Sequence, residues 1–348
     1  MRARPTPSRA WTLLLAAALV ACSPAVVDAP PGPDAATSDA STGANGDGST
    51  TSATCASYAY ARCSKLQGCS PTAVLYRYGS TGECEAIYSG LCENSRNAPS
   101  TGATAATETA CSNALSPNAV PPWACSDFLY NENIPAACAT PTGSLANGAP
   151  CGVAQQCQSG YCALPLYAAC GTCAPVPAAG SSCAELICPP SLTCSNQVCV
   201  AFAQEGASCG ASQPCSDGLA CVVANGAATG TCTQGVTTAN APCVFTGAGC
   251  DFYDGLACNA QTGLCEQAML AAAGQACGTV GAQSVSCIDG LCDRGACVAF
   301  LLPGDPCDTA AGASCITDAR CIVGVGPDAA ADGGAVGTCQ LNGASLCR

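Results

Sequence analysis

The rhythm of apolar positions changes three times along the chain. From Trp11 to Val20 they run unbroken for 10 residues, too few to cross a bilayer as a helix. Over residues 23–54 no apolar periodicity survives past Val27, and Pro, Ala, Asp, Ser, Thr and Gly make up nearly everything. Such a stretch predicts a disordered spacer with a reach on the order of 30 Å. Between residues 55 and 138 the spacing becomes helical. Cys84, Ile87, Tyr88, Leu91 and Cys92 fall on one helix face, behind a Ser80-x-x-Glu83 capping box. Cys55, Tyr58, Ala59, Cys63 and Leu66 repeat that pattern. Cys111 with Leu115 predicts a third helix, and Trp123, Phe128 and Leu129, after Pro121-Pro122, predict a fourth.

After Thr142-Gly143 the helical period stops and a repeat begins. Its opening is Gly-x-x-Cys, at Gly148/Cys151, Gly180/Cys183, Gly206/Cys209, Gly274/Cys277 and Gly304/Cys307, with Asn240/Cys243 keeping the spacing. Most units carry a later turn that leads into a cysteine: Ser159-Gly160, Asp217-Gly218, Asp254-Gly255 and Asp289-Gly290. Asp-Gly favours a hairpin turn because glycine accepts positive φ. A unit of about 30 residues buries little by itself, so each is predicted to be a two-bridge knot of short β-hairpins. The fold class expected is small disulfide-rich: a disulfide-stapled α-helical domain followed by tandem β-hairpin knots.

Composition explains why bridges are needed. Leu, Ile, Val and Phe together are about 15% of the 348 residues. Ordering a residue costs on the order of 1–2 kcal/mol, and so few apolar side chains cannot offset it. A disulfide typically contributes about 2–4 kcal/mol by restricting the unfolded chain, and there are 35 cysteines.

One cysteine belongs to an export signal. Arg2, Arg4 and Arg9 form a basic n-region ahead of the apolar run, which ends Leu19-Val20-Ala21-Cys22. This matches the bacterial lipobox, with cleavage after Ala21 and a diacylglycerol on the Cys22 sulfur, membrane attachment that strengthens with each added acyl chain. By resemblance to bacterial lipoproteins, Ser23 favours export to the outer membrane. The other 34 cysteines are even in number, as disulfides in an oxidising compartment require. All are expected to be structural. Eight lie in the helical part: Cys55, Cys63, Cys69, Cys84, Cys92, Cys111, Cys125 and Cys138. Nine follow: Cys151, Cys157, Cys162, Cys170, Cys173, Cys183, Cys188, Cys194 and Cys199. Three groups of four come next: Cys209, Cys215, Cys221 and Cys232; Cys243, Cys250, Cys258 and Cys265; Cys277, Cys287, Cys292 and Cys297. The last group is Cys307, Cys315, Cys321, Cys339 and Cys347.

Two groups are odd, and the two odd cysteines are expected to find partners through at least one bridge that crosses a unit boundary, the alternative being a covalent dimer or two buried thiols. Either the odd cysteines bridge each other, with Cys347 the candidate in the last group, or pairing shifts by one along the units between. The expected domains are 1–21 signal peptide, 22–54 lipidated cysteine and tether, 55–142 helical domain, 148–202 a first cysteine-rich segment, and 203–348 further repeats.

The densest segment, Cys151-x5-Cys157-x4-Cys162, Cys170-Gly-Thr-Cys173, Cys183 and Cys188-x5-Cys194-x4-Cys199, with Tyr161 and Pro189, resembles the N-terminal cysteine-rich domain of Dickkopf proteins. It departs from that family in two ways. Ile187 precedes Cys188 where the family has an adjacent cysteine, which leaves this stretch one partner short. Residues 174–182 also lack the family's basic character. The whole layout is similar to cysteine-rich surface lipoproteins of myxobacteria. The animal family's role in Wnt signalling does not transfer to a bacterium, because function lives in sites rather than folds.

Charge and residue type exclude several chemistries. The net charge of −13 becomes −16 once the three signal arginines leave, and no Lys or Arg lies between Arg96 and Arg294. Nucleic acid, which needs cations along a phosphate backbone, is therefore not an expected partner. The chain has no histidine and a single lysine, Lys65. A His-based triad, a His metal site and a P-loop are all out of reach. Cys170-x-x-Cys173 has redox or half-zinc spacing, yet lies among bridge cysteines and reads as structural. Gly206-Ala-Ser208-Cys-Gly210 matches a nucleophile elbow with no base to activate Ser208. Asp251 and Asp254, with Asp217 and Asp289, offer oxygen ligands but lack the alternating spacing of calcium loops.

The expectation is a non-enzymatic, lipid-anchored protein of the outer membrane or cell surface, exported from a bacterial cytoplasm. It would have no cofactor or metal and would contact the membrane through Cys22 and an extracellular protein or glycan. A disulfide-rich protease inhibitor and a calcium-binding adhesion module are the alternatives.

Overall fold

The computed structural model describes residues 48–348 except 132, 166–167, 184–187, 190–191, 211, 217–218, 224–226, 244–248, 282, 309–313, 317–318, 324–335, 342, 344–346 and 348. The signal segment, the Cys22 lipidation site, most of the tether and Asp217 lie outside the described residues. Among the described residues no helix is long and apolar enough to cross a membrane.

Five helices open the fold: α1 Gly48–Cys69, α2 Pro71–Tyr78, α3 Thr81–Arg96, α4 Ala105–Leu115 and α5 Cys125–Leu129. α1 begins seven residues before Cys55, the expected start of the helical domain. Helix propagation adds a bond per residue once a nucleus exists, and the bridged face that starts at Cys55 supplies one. α2 was not expected. Its signal was present in Ser70-Pro71: Ser70 caps by accepting from the Ala73 N–H at 2.9 Å, and Pro71 stands where no N–H is needed. Ser80 caps α3 by accepting from the Glu83 N–H at 3.1 Å, which is the forward half of the expected capping box. The fourth expected helix is one short turn, with Trp123 just ahead of it.

α1 and α3 are an antiparallel pair stapled by Cys55–Cys92 and Cys63–Cys84. Each helix places its two cysteines eight residues apart, so the rungs match about 12 Å of rise on both sides. Cys69–Cys125 and Cys111–Cys138 attach the remaining pieces. Leu66, Val74, Tyr78, Ile87, Leu115, Trp123 and Phe128 fill the core between them. That core is completed from far along the chain by Ile316, which is fully buried.

The rest of the chain is six knots with one bridge pattern, first cysteine to third and second to fourth: Cys151–Cys162 with Cys157–Cys173, Cys183–Cys194 with Cys188–Cys199, Cys209–Cys221 with Cys215–Cys232, Cys243–Cys258 with Cys250–Cys265, Cys277–Cys292 with Cys287–Cys297, and Cys307–Cys321 with Cys315–Cys339. In every knot the third and fourth cysteines face each other across an antiparallel pair. Each reaches back to an earlier strand instead of to its neighbour, which ties the hairpin to both upstream segments. The knot interiors are mostly sulfur.

The Gly-x-x-Cys opening has a backbone cause. Gly148, Gly180, Gly206, Gly274 and Gly304 all adopt positive φ, and Asn240 does so at 62°. Each donates its N–H to the carbonyl of its knot's fourth cysteine at 2.7–2.8 Å. The fourth cysteine's N–H returns to the residue after the Gly or Asn at 2.8–2.9 Å. Only glycine, and less readily asparagine, enters this region without a large steric cost.

The 151–199 stretch is thus two knots of equal pattern. Cys188 has its partner in Cys199. The odd cysteine is Cys170, and it pairs with Cys347. The separation of Cys-x-x-Cys partners follows: Cys170 and Cys173 belong to different bridges.

Candidate functional site

Helices and knots form one compact unit, Asn45–Arg348, and polar contacts join its parts along several seams. The first seam joins the helices to knot one. Gly102 N–H donates to Gln155 O at 2.9 Å and Ser144 N–H to Ser100 O at 3.0 Å. Gln156, almost wholly buried, donates from Nε2 to Pro99 O at 2.9 Å and accepts at Oε1 from Gly152 N–H at 2.7 Å. A buried amide satisfied on both atoms fixes orientation.

The second seam is built on α2 and knot four. Ser70, fully buried, donates its hydroxyl to Tyr253 O at 2.5 Å. Arg77 donates from Nη2 to the Tyr253 hydroxyl at 2.5 Å, and its guanidinium lies 5.1 Å from the same ring. Burial works against the Arg77 charge, but the Tyr253 phenol outweighs it and the group is held above its ordinary value. Tyr76 meets Phe252 edge-on at 5.1 Å. Asp251 accepts from Tyr253 N–H at 2.8 Å and from the Tyr130 hydroxyl at 3.2 Å. Burial, then Asp251, pushes the Tyr130 phenol up. Tyr76, Asp251, Phe252 and Tyr253 line a shallow cleft of about 370 Å³.

Knot five docks beside it, with Asp289 N–H donating to Leu75 O at 3.1 Å. Asp289 Oδ1 is buried without a hydrogen-bond donor, and burial, followed by Glu83, raises its carboxyl. Knot six adds Ile316 and Leu341 to the helical core, and Arg320 donates from Nη2 to Ala168 O near the Cys170–Cys347 bridge.

A recess of about 490 Å³ lies between the helices and knot one. Its polar centre is Arg62 on α1, whose guanidinium sits 4.6 Å from the Tyr88 ring and 5.5 Å from the Phe128 ring. Burial disfavours the Arg62 charge, but Tyr88 and Tyr58 hold the group above its ordinary value. Glu108 lines the same recess, with its carboxyl raised by burial and drawn back by Arg96. A third recess, about 740 Å³, is walled by Val120, Pro121, Pro122 and Trp123.

The residues singled out from sequence motifs do not converge. Ser208 is exposed on the two-residue strand Ser208–Cys209, opposite Thr231, rather than on a strand-to-helix elbow. Asp251 spends both oxygens on Tyr130 and Tyr253, and Asp289 faces the helices beside Glu83. Triplets of close cysteine sulfurs within each knot resemble metal-ligand sets, but these sulfurs are already joined in bridges. Sequence reasoning missed Arg62 and Arg77. The scarcity of cations was itself a signal, since in a chain this acidic a lone arginine on an aromatic helix face has a specific packing partner. A comparison with protein-family models, curated proteins and solved structures finds no match to this chain.

Proposed function

We propose that this chain is a non-enzymatic, lipid-anchored surface protein that holds a rigid, acidic interaction module away from the membrane. The carrying observation is that every cysteine from Cys55 to Cys347 is bridged, including one pair 177 positions apart. Disulfides at that density persist in oxidising, extracytoplasmic compartments, and the lipobox ending at Cys22 supplies an anchor in keeping with such an address. The layout is similar to that of bacterial cysteine-rich lipoproteins, and the tether supplies the spacing. The knots expose loops rather than a single deep apolar pocket, which suits contact with a protein or glycan.

The test is processing and address. Cys22→Ser in the producing bacterium is expected to block cleavage, abolish palmitate labelling and leave a longer precursor in the inner membrane. Protease added to intact cells is expected to reach the wild-type protein. A Cys22→Ser protein of normal length that still fractionates with the outer membrane overturns the reading.

A further inference from the structure

We propose that the recess around Arg62 is a binding site for a monocarboxylate that carries an aromatic or branched apolar body. Arg62 is one of only seven cationic residues beyond the signal segment. It is half-buried, and among the described residues no carboxylate makes a salt bridge with it. Its neighbours are the phenols of Tyr58 and Tyr88 and the ring face of Phe128. Phenols and ring faces solvate a guanidinium but leave its charge uncompensated, and a desolvated charge gains most from an opposite charge brought to it. Arg77 and Arg294 differ: the first is committed to Tyr253 across a closed seam, the second is exposed beside Asp293.

The rest of the recess sets the ligand's body. Leu91, Trp123, Ile134, Val153 and Leu164, from α3, the α4–α5 connection, the segment after α5 and knot one, line it together with the polar Ser95, Asn131, Thr140 and Gln155. A volume of about 490 Å³ is in the range of small-molecule sites, and the mixed lining seats an apolar body beside polar groups. A carboxylate matches the planar guanidinium fork, whereas a neutral amide does not. Glu108 at the same wall opposes a second negative charge, which selects a monoanion over phosphate or a dicarboxylate. The site goes beyond the display role proposed above and does not depend on lipidation.

Titration calorimetry on the oxidised protein tests this with three probes: phenylacetate, its neutral isostere phenylacetamide, and inorganic phosphate. Phenylacetate is expected to bind saturably with Kd of about 0.1–1 mM, an ordinary efficiency for so few atoms. Phenylacetamide and phosphate are expected to bind at least about tenfold more weakly. Arg62→Gln is expected to remove phenylacetate binding, and Glu108→Gln, which leaves Arg62 in place, to tighten it. Equal binding of the amide, tighter binding of phosphate, no saturation by phenylacetate up to about 10 mM, or an Arg62→Gln protein that binds as well as wild type overturns the proposal. If Arg62→Gln fails to form its bridges, the acid-against-amide comparison and Glu108→Gln decide, and unchanged or weaker binding by Glu108→Gln counts against it.

Discussion

Cys170 and Cys347, 177 positions apart, are joined with their Cα atoms 5.4 Å from each other. Neither takes part in the two-bridge pattern that organises each knot. Their bond ties the last knot to the first, beside the hydrogen bond from Arg320 to Ala168 O. Ile316, in the same last knot, is at the same time buried among the helices. The array is therefore closed covalently at its ends and packed onto the helices between them.

Replacing both cysteines by serine measures that closure. A 177-residue loop alone would be worth about 5 kcal/mol of unfolded-state entropy. The bridges and seams inside the loop already shorten it, so a loss of roughly 2–3 kcal/mol is expected. Denaturant unfolding of the double variant, with its other 16 bridges checked by mass and thiol titration, supplies the number. Unchanged stability would mean that the seams alone hold the array closed.

The glycines that open the knots are expected to be conformational rather than steric. A Cβ at Gly148, Gly180, Gly206, Gly274 or Gly304 would meet nothing within 4 Å, so only the backbone resists substitution. Gly274→Ala should cost about 1–2 kcal/mol and Gly274→Asn less. Asn240→Gly, at the one knot that departs from the pattern, should be neutral or stabilising. Equal costs for Ala and Asn at 274 would point to packing instead.

Tyr253→Phe removes the hydroxyl shared with Arg77 while keeping the ring beneath the guanidinium. Hydrogen bonds to charged groups contribute about 1.5–3 kcal/mol, and that loss is expected here. A double-mutant cycle with Arg77→Gln should return most of it as coupling. Additive effects would show that the two residues do not act as a pair.

Asp289 predicts a pH dependence at the knot-five seam. Its carboxyl is raised by burial and by Glu83, so the folded value exceeds the unfolded one and the fold favours the neutral form. That contribution is fully present below the unfolded value, near about 3.9, and is lost as pH rises through the folded value. The backbone contact to Leu75 O should thus be tightest in acid. Asp289→Asn, which is also at ease at the positive φ of 43°, should stabilise the protein near pH 7 and much less near pH 3. Thermal unfolding of both proteins across that range gives the difference, and a pH-independent gain would trace the effect to φ instead of charge.

Most of the local architecture was legible in the residues. The spacing of Cys84, Ile87 and Leu91 marks a helix because a 3.6-residue period puts them on one face, and α3 carries them there. Gly-x-x-Cys marks five of the six knots, with Asn240 opening the other, because tolerance of positive φ is a property of the residue itself. Parity led to the expectation of a bridge across unit boundaries, with Cys347 as the candidate in the last group, and Cys170–Cys347 is that bridge. Residue order alone left open which cysteine in the 151–199 stretch was odd, since that depends on where each knot's fourth strand returns. Tertiary structure decided this through Cα proximity, and it likewise decided that Ile316 belongs to the helical core, that Tyr253 receives Arg77, and that Arg62 faces a recess. Each of these depends on residues far apart in the chain, and their meeting is set by how the knots fold back on the helical part, where no local period or propensity acts.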